Sequence, residues 1–193
     1  MAGRPRQFDR EEALEKAMML FWEKGFTATS MHDLLERMGI SRQSLYNTFG
    51  DKRNLFLAAL DHYKSKFTGR LWGTLSCPDA SLPEIRMIFE RVSLLAAPGG
   101  PKACMLASSC MEQGLIDDLV AGRARDAFEQ LESLFERAIE NAKRKGEVGD
   151  HVKSITAARL LANTLFGLGV LLRSGADEER VRDVVAGALS VLD

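Results

Sequence analysis

Four cap residues and three glycines punctuate the first 52 residues of the chain: Asp9, Ser30, Ser41 and Asp51 open segments that Gly25, Gly39 and Gly50 close. An Asp or Ser ahead of a helix accepts from backbone N–H groups that have no partner inside it, and a glycine just past the end takes a backbone conformation other residues avoid. Between these marks the apolar residues fall at helical spacing: Leu14, Ala17, Met18 and Phe21, then Met31, Leu34, Leu35 and Met38, then Leu45 and Phe49. Glu12 and Asp33, three residues after their caps, complete capping-box pairs. The third segment is about eight residues long, too short to hold itself together in water, because nucleation costs more than two turns recover. It must be clamped by its neighbours, so these helices share one small core.

The rest of the chain is helical in longer units. Asp51 opens a fourth helix with Phe56, Ala59, Leu60, Tyr63 and Phe67 on one face. Ser81-Leu82-Pro83-Glu84 starts another, expected to run to about Ala97, where Pro-Gly-Gly-Pro breaks it. Further helices are expected over 103–113, 117–145, 154–173 and 178–191, with Lys143, Arg144 and Lys145 set against the negative end of the long one. No run alternates as a strand does. The expected fold is all-α, with about nine helices in two parts: residues 1–50 and a larger unit, 51–193.

Composition narrows the function classes. Net charge is −1, which argues against sequence-blind architectural binding to DNA, since that rests on many phosphate contacts. Residues 1–66 hold 11 Lys+Arg against 9 Asp+Glu, so the slight basic excess lies in the half with the short helices. No uncharged apolar run approaches membrane-spanning length, and nothing at the N-terminus resembles a signal peptide. The three cysteines are irregularly spaced, which suits a reduced, cytoplasmic setting. His32, His62 and His151 have no partners at ligand spacing, so no metal site is expected. Neither a phosphate-binding glycine loop nor a nucleophile elbow is present, so the chain does not read as an enzyme and no cofactor is expected.

With Leu45 and Phe49 rooted in the core, the third helix turns Arg42, Gln43, Ser44, Tyr46 and Asn47 outward. Two helices joined by a glycine turn, the second short and polar outside, make a helix-turn-helix, whose second helix enters the DNA major groove. There Arg reads guanine, and Asn or Gln reads adenine, through paired hydrogen bonds. Ser30 and Ser41 stand at helix starts that favour a phosphate, and Arg4 and Arg6 flank a proline in a basic arm suited to a narrow minor groove.

Gly25-Phe26-x-x-Thr29-Ser30, Met38-Gly39-Ile40-Ser41, Leu45-Tyr46-x-x-Phe49 and Asp51-Lys52-x-x-Leu55-Phe56 together resemble the N-terminal domain of the TetR family of transcriptional regulators, over residues 8–56. The resemblance implies that helix 42–49 is the recognition helix. It also implies that Tyr46 and Lys52 hold phosphates, with Ser30 or Met31 at the groove edge. The expected function is a repressor on a palindromic operator in double-stranded DNA, dimeric through its last two long helices. Those carry Gly167, Gly169 and a Val/Ala stripe. A small, largely apolar effector is expected to release it, with Trp72, Met87, Cys104, Met105, Met111, Phe128 and Phe166 as pocket candidates.

The alternatives are a thiol-responsive regulator and a non-regulatory helical binding protein. Cys104 stands near a helix start, where a thiol pKa tends to fall, and Cys110 is too far along the same helix to bond to it. Glu112, Asp117 and Asp118 read as helix-end, solvent-facing acids.

Overall fold

A computed structural model describes residues 8–94 and 104–193; Arg4, Arg6, Ala97 and the Pro-Gly-Gly-Pro break lie outside them. Every regular element among the described residues is helical. The N-terminal group is α1 (Arg10–Lys24), α2 (Met31–Met38), α3 (Arg42–Phe49) and α4 (Lys52–Tyr63). The chain then widens into a π-helical turn, Lys64–Thr68, and the one-turn α5, Gly69–Trp72. There follow α6 (Leu82–Leu94), α7 (Met105–Gln113), α8 (Asp118–Arg144), α9 (Ser154–Arg173) and α10 (Glu178–Leu189), closed by a 3-10 turn, Ser190–Leu192.

The expected caps form. Asp9 accepts from the amides of Glu11 and Glu12, Ser30 and Asp33 make the reciprocal box, and Ser41 and Asp51 accept from Ser44 and Asn54. Gly39 takes a left-handed conformation, φ +70°, which turns the chain from α2 into α3. Gly25 also has positive φ, +82°, and a Cβ there would stand 2.7 Å from a carboxylate oxygen of Glu112. A glycine is therefore required twice over, by backbone and by neighbour.

In the N-terminal group, α1 packs on α2 and α4, and Phe56 of α4 meets Phe21 and Phe26 of the head, residues 1–50, with ring centroids 5.0 and 4.9 Å apart. Beyond it, α8 packs along α9, α9 along α10, and α7 lies on α8. The buried apolar side chains form one connected cluster from the head to Leu192. α9 is long and apolar enough to cross a membrane by length and composition, the one such helix among the described residues. Arg159 interrupts it and pairs with Glu132 of α8 at 3.5 Å, while Leu161, Leu165 and Leu168 are buried.

Candidate nucleic-acid interface

The third helix is held as its length requires. Leu45 is fully buried and Phe49 is 8% exposed, with the guanidinium of Arg10 5.3 Å from the Phe49 ring centre. Arg42, Gln43, Tyr46 and Asn47 are exposed around the opposite face, with Ser44 at its edge. These side chains are partly ordered already. The Gln43 amide donates to the Asn47 side-chain oxygen at 2.9 Å, and the Ser41 and Ser44 hydroxyls lie 2.9 Å apart. Two hydrogen-bonded amides one helical turn apart are held in a common register, which suits the reading of a base edge.

Other candidates surround it. Lys52 begins α4 with its ammonium 4.3 Å from the centre of the Phe26 ring. Burial lowers its pKa, against the opposing charge of Glu112. Ser30 and Met31 stand at the start of α2, but the Ser30 amide is already donated to the Asp33 carboxylate at 3.1 Å. The structure thus brings Ser41, Arg42, Gln43, Ser44, Tyr46 and Asn47 onto one face, with Lys52, Ser30 and Met31 at neighbouring helix starts.

The seven pocket candidates are not brought together. Trp72 is buried against a cavity of about 400 Å³ that Asp61, Lys64, Ser65, Gln130 and Leu134 also line, so its lining is mixed rather than apolar. Phe128 and Phe166 pack edge to face, 4.0 Å between centroids, joining α8 to α9. Met105 and Met111 border a different cavity between α1 and α7; Met111 is 74% exposed, and Met87 faces outward from α6. Helical spacing alone does not say which of two apolar faces meets a cavity.

Cys104 also departs from expectation. It is the N-cap of α7, but burial pushes its thiol pKa up, outweighing hydrogen bonds from the Ala107 and Leu106 amides and from Tyr63. Tyr63 is raised in turn, by burial first and then by the neighbouring Cys104. Desolvation of the thiolate defeats the helix-start effect here.

Glu112 and Asp117 are the residues sequence reasoning missed. Glu112, at the end of α7, accepts from the amides of Phe26 and Thr27 at 2.9 and 2.7 Å, and Gln113 donates to the Thr27 hydroxyl at 3.0 Å. Asp117 caps α8 and takes a two-point hydrogen bond from Arg53 of α4, at 2.6 and 2.9 Å. Arg123 of α8 binds Asp61 of α4 in the same way, at 2.8 and 2.9 Å. Glu112 and Asp118 are exposed as read, but Glu112 is also committed to the turn after α1, and Asp117 is only half exposed. Glu112 of α7 thus holds the turn after α1, while Asp117 and Arg123 of α8 pair with Arg53 and Asp61 of α4.

Comparison with known proteins agrees with this architecture. Residues 13–59 match the family model of bacterial regulatory proteins, tetR family. The chain is 37% identical over 193 residues to the uncharacterized HTH-type transcriptional regulator YezE of Bacillus subtilis (strain 168), covering 99% of this chain and all of that one. It is 28% identical over 189 residues to the HTH-type transcriptional repressor ComR of Escherichia coli (strain K12), covering 97% of this chain and 90% of that one. Among solved structures, a cysteine-substituted variant of the TetR family transcriptional regulator CifR, complexed with 26bp double-strand operator DNA, superposes with a TM-score of 0.83 at 27% identity, over 99% of this chain and 100% of that one. With the helix-turn-helix in place, the family segment matched and a relative this similar along its whole length, the chain belongs to the tetR family of bacterial regulatory proteins.

Proposed function

We propose that this helix-turn-helix transcriptional regulator is a homodimeric repressor whose two copies of α3 read the half-sites of a palindromic operator. The observation that carries the reading is the division of α3 itself: Leu45 and Phe49 are buried while Arg42, Gln43, Tyr46 and Asn47 are exposed on the other side. In this reading Arg42, Gln43, Ser44 and Asn47 meet base edges. Ser41, Tyr46 and Lys52 hold phosphates, Ser30 and Met31 lie at the groove edge, and Arg4 and Arg6 enter the minor groove. The head is residues 1–50, with α4 as the arm that joins it to residues 51–193.

One short helix reads too few base pairs for useful discrimination, so two copies about 34–36 Å apart are required. Support for the pairing comes from Ile155, Leu160 and Val170 of α9, apolar residues 37%, 46% and 51% exposed. Effector release would use the cavity under α4, where Trp72 and Leu134 suit an apolar body and the polar rim suits a polar edge. Burial of Cys104 disfavours a resting thiolate there, so the small-molecule route is the reading kept over a thiol sensor. The test is retention of a palindrome from the protein's own promoter region at moderate salt against excess random DNA. Selective retention supports the reading; equal retention of both refutes it.

A further inference from the structure

A second cavity, of about 390 Å³, lies between the head and α7 rather than inside the regulatory helices. Trp22 forms one wall, Met105, Ser109, Met111 and Glu112 the other, and Arg173 stands at the end of α9 beside them. Its polar groups are unequally used. Both oxygens of Glu112 are directed at the Phe26 and Thr27 amides, and Lys24, also in the lining, pairs with Asp33 at 3.4 Å. By contrast, Ser109 is only 5% exposed as a residue and lines the cavity. Arg173 makes no ion pair or hydrogen bond among the described residues. The groups that face an occupant are the Ser109 hydroxyl on the wall and, at the rim, the exposed guanidinium of Arg173, whose fork fits a carboxylate. What surrounds them is an indole and two flexible thioethers, which accept flat or aliphatic bodies alike.

We propose that this seam binds a small anionic amphiphile, a carboxylate on an aromatic or aliphatic body. The carboxylate lies on the Arg173 side, and the body is held between Trp22 and Met105. The site differs from the cavity under α4 in place and in charge. Because Glu112 is part of its wall and also holds the turn between α1 and α2, an occupant presses on the contact that fixes the angle of the head. That consequence for DNA rests on the operator-release reading above; the binding itself does not.

The test titrates the full-length protein, without DNA, with naphthoate, decanoate and the neutral naphthamide by calorimetry. A Trp72→Phe variant leaves Trp22 as the only indole of the two in the chain, so its fluorescence reports the seam. The expected result is saturable carboxylate binding, the amide weaker by about tenfold or more, and Arg173→Ala removing that difference. Naphthoate should also quench Trp22. Arg173→Glu, an exposed change that leaves the core intact, should transfer the preference to naphthylmethylamine. No saturable binding of either carboxylate at millimolar concentration overturns the site, as does binding that ignores both Arg173 variants. Operator retention unchanged by saturating naphthoate overturns the coupling. Failure of the palindrome experiment would instead remove the regulator reading and leave the seam as measured.

Discussion

A carboxylate oxygen of Glu112 lies 2.7 Å from the backbone nitrogen of Thr27, a residue 85 positions earlier, while its other oxygen takes the amide of Phe26. The turn that sets α2 and α3 relative to α1 is thereby held by the last full turn of α7. α7 therefore bears directly on the turn that precedes α2 and α3, and this relationship can be broken without touching either core.

Glu112→Gln keeps the size of the side chain but replaces one accepting oxygen with a donor that faces an amide. Loss of one charge-assisted bond at this partly exposed place should cost about 1 kcal/mol in urea unfolding. Effector-dependent operator release should weaken more than operator binding itself. Unchanged release with full binding would show that α7 does not act through this contact.

Gly25→Ala attacks the same contact from the other side. A non-glycine residue at φ +82° is strained, and its Cβ would displace the Glu112 carboxylate. The expected loss is about 1–3 kcal/mol, measured by thermal or urea unfolding at fixed protein concentration. In the Glu112→Ala background the steric part should disappear and only the backbone part remain.

Acid sensitivity follows from two depressed carboxyls. At Glu112 burial acts upward, but the hydrogen bonds from Thr27 and Phe26 together pull its pKa below the ordinary carboxylate value; at Asp117 the Arg53 guanidinium is the main cause. A carboxyl lowered on folding contributes stability above its unfolded pKa and loses it as pH falls through the folded one. Stability should therefore decline from roughly pH 5 downward, and the slope should flatten in Glu112→Gln and Asp117→Asn. Urea midpoints at a series of pH values give the slope directly.

Leu45→Ala should remove about 2–5 kcal/mol, because Leu45 is fully buried and roots a helix that cannot stand alone. Arg42→Ala should leave folding intact. If Arg42 reads a base it relaxes preference at one operator position by about 1–3 kcal/mol; if it holds phosphate it weakens all sequences alike and lowers the salt slope by about one. Competition binding against single-base operator variants separates the two.

Leu160→Glu places a charge on the exposed apolar side of α9. Sedimentation should show monomers at micromolar concentration, and operator binding should fall sharply with the second head lost. A dimer that survives this change would move the interface elsewhere.

Much of the head was legible because its signals are local. A cap, its acid three residues on, and a closing glycine lie within one helix, so Ser30, Asp33 and Gly39 could be read from spacing alone, as could the outward set on α3. The break between α4 and the π-helical turn at Lys64–Thr68 left no comparable mark, and the fourth helix was read as continuous. The pocket candidates are spread over separate places. Trp72, Met105 and Phe128 are each apolar and helical, but one faces a cavity under α4, one the seam, and one a ring on α9.

The sequence by itself thus determined where the first three helices begin and end and which residues of α3 stay outside the core, since both follow from hydrogen bonds and side-chain periodicity within a few residues. Only the tertiary structure decided what Glu112, Asp117 and Cys104 do. An acid near a helix end looks solvent-facing until a distant turn brings two amides to it, and a thiol at a helix start looks acidic until Tyr63 and the surrounding core exclude water. Long-range contact and desolvation, the two effects that set those roles, are properties of packing and have no period in the chain.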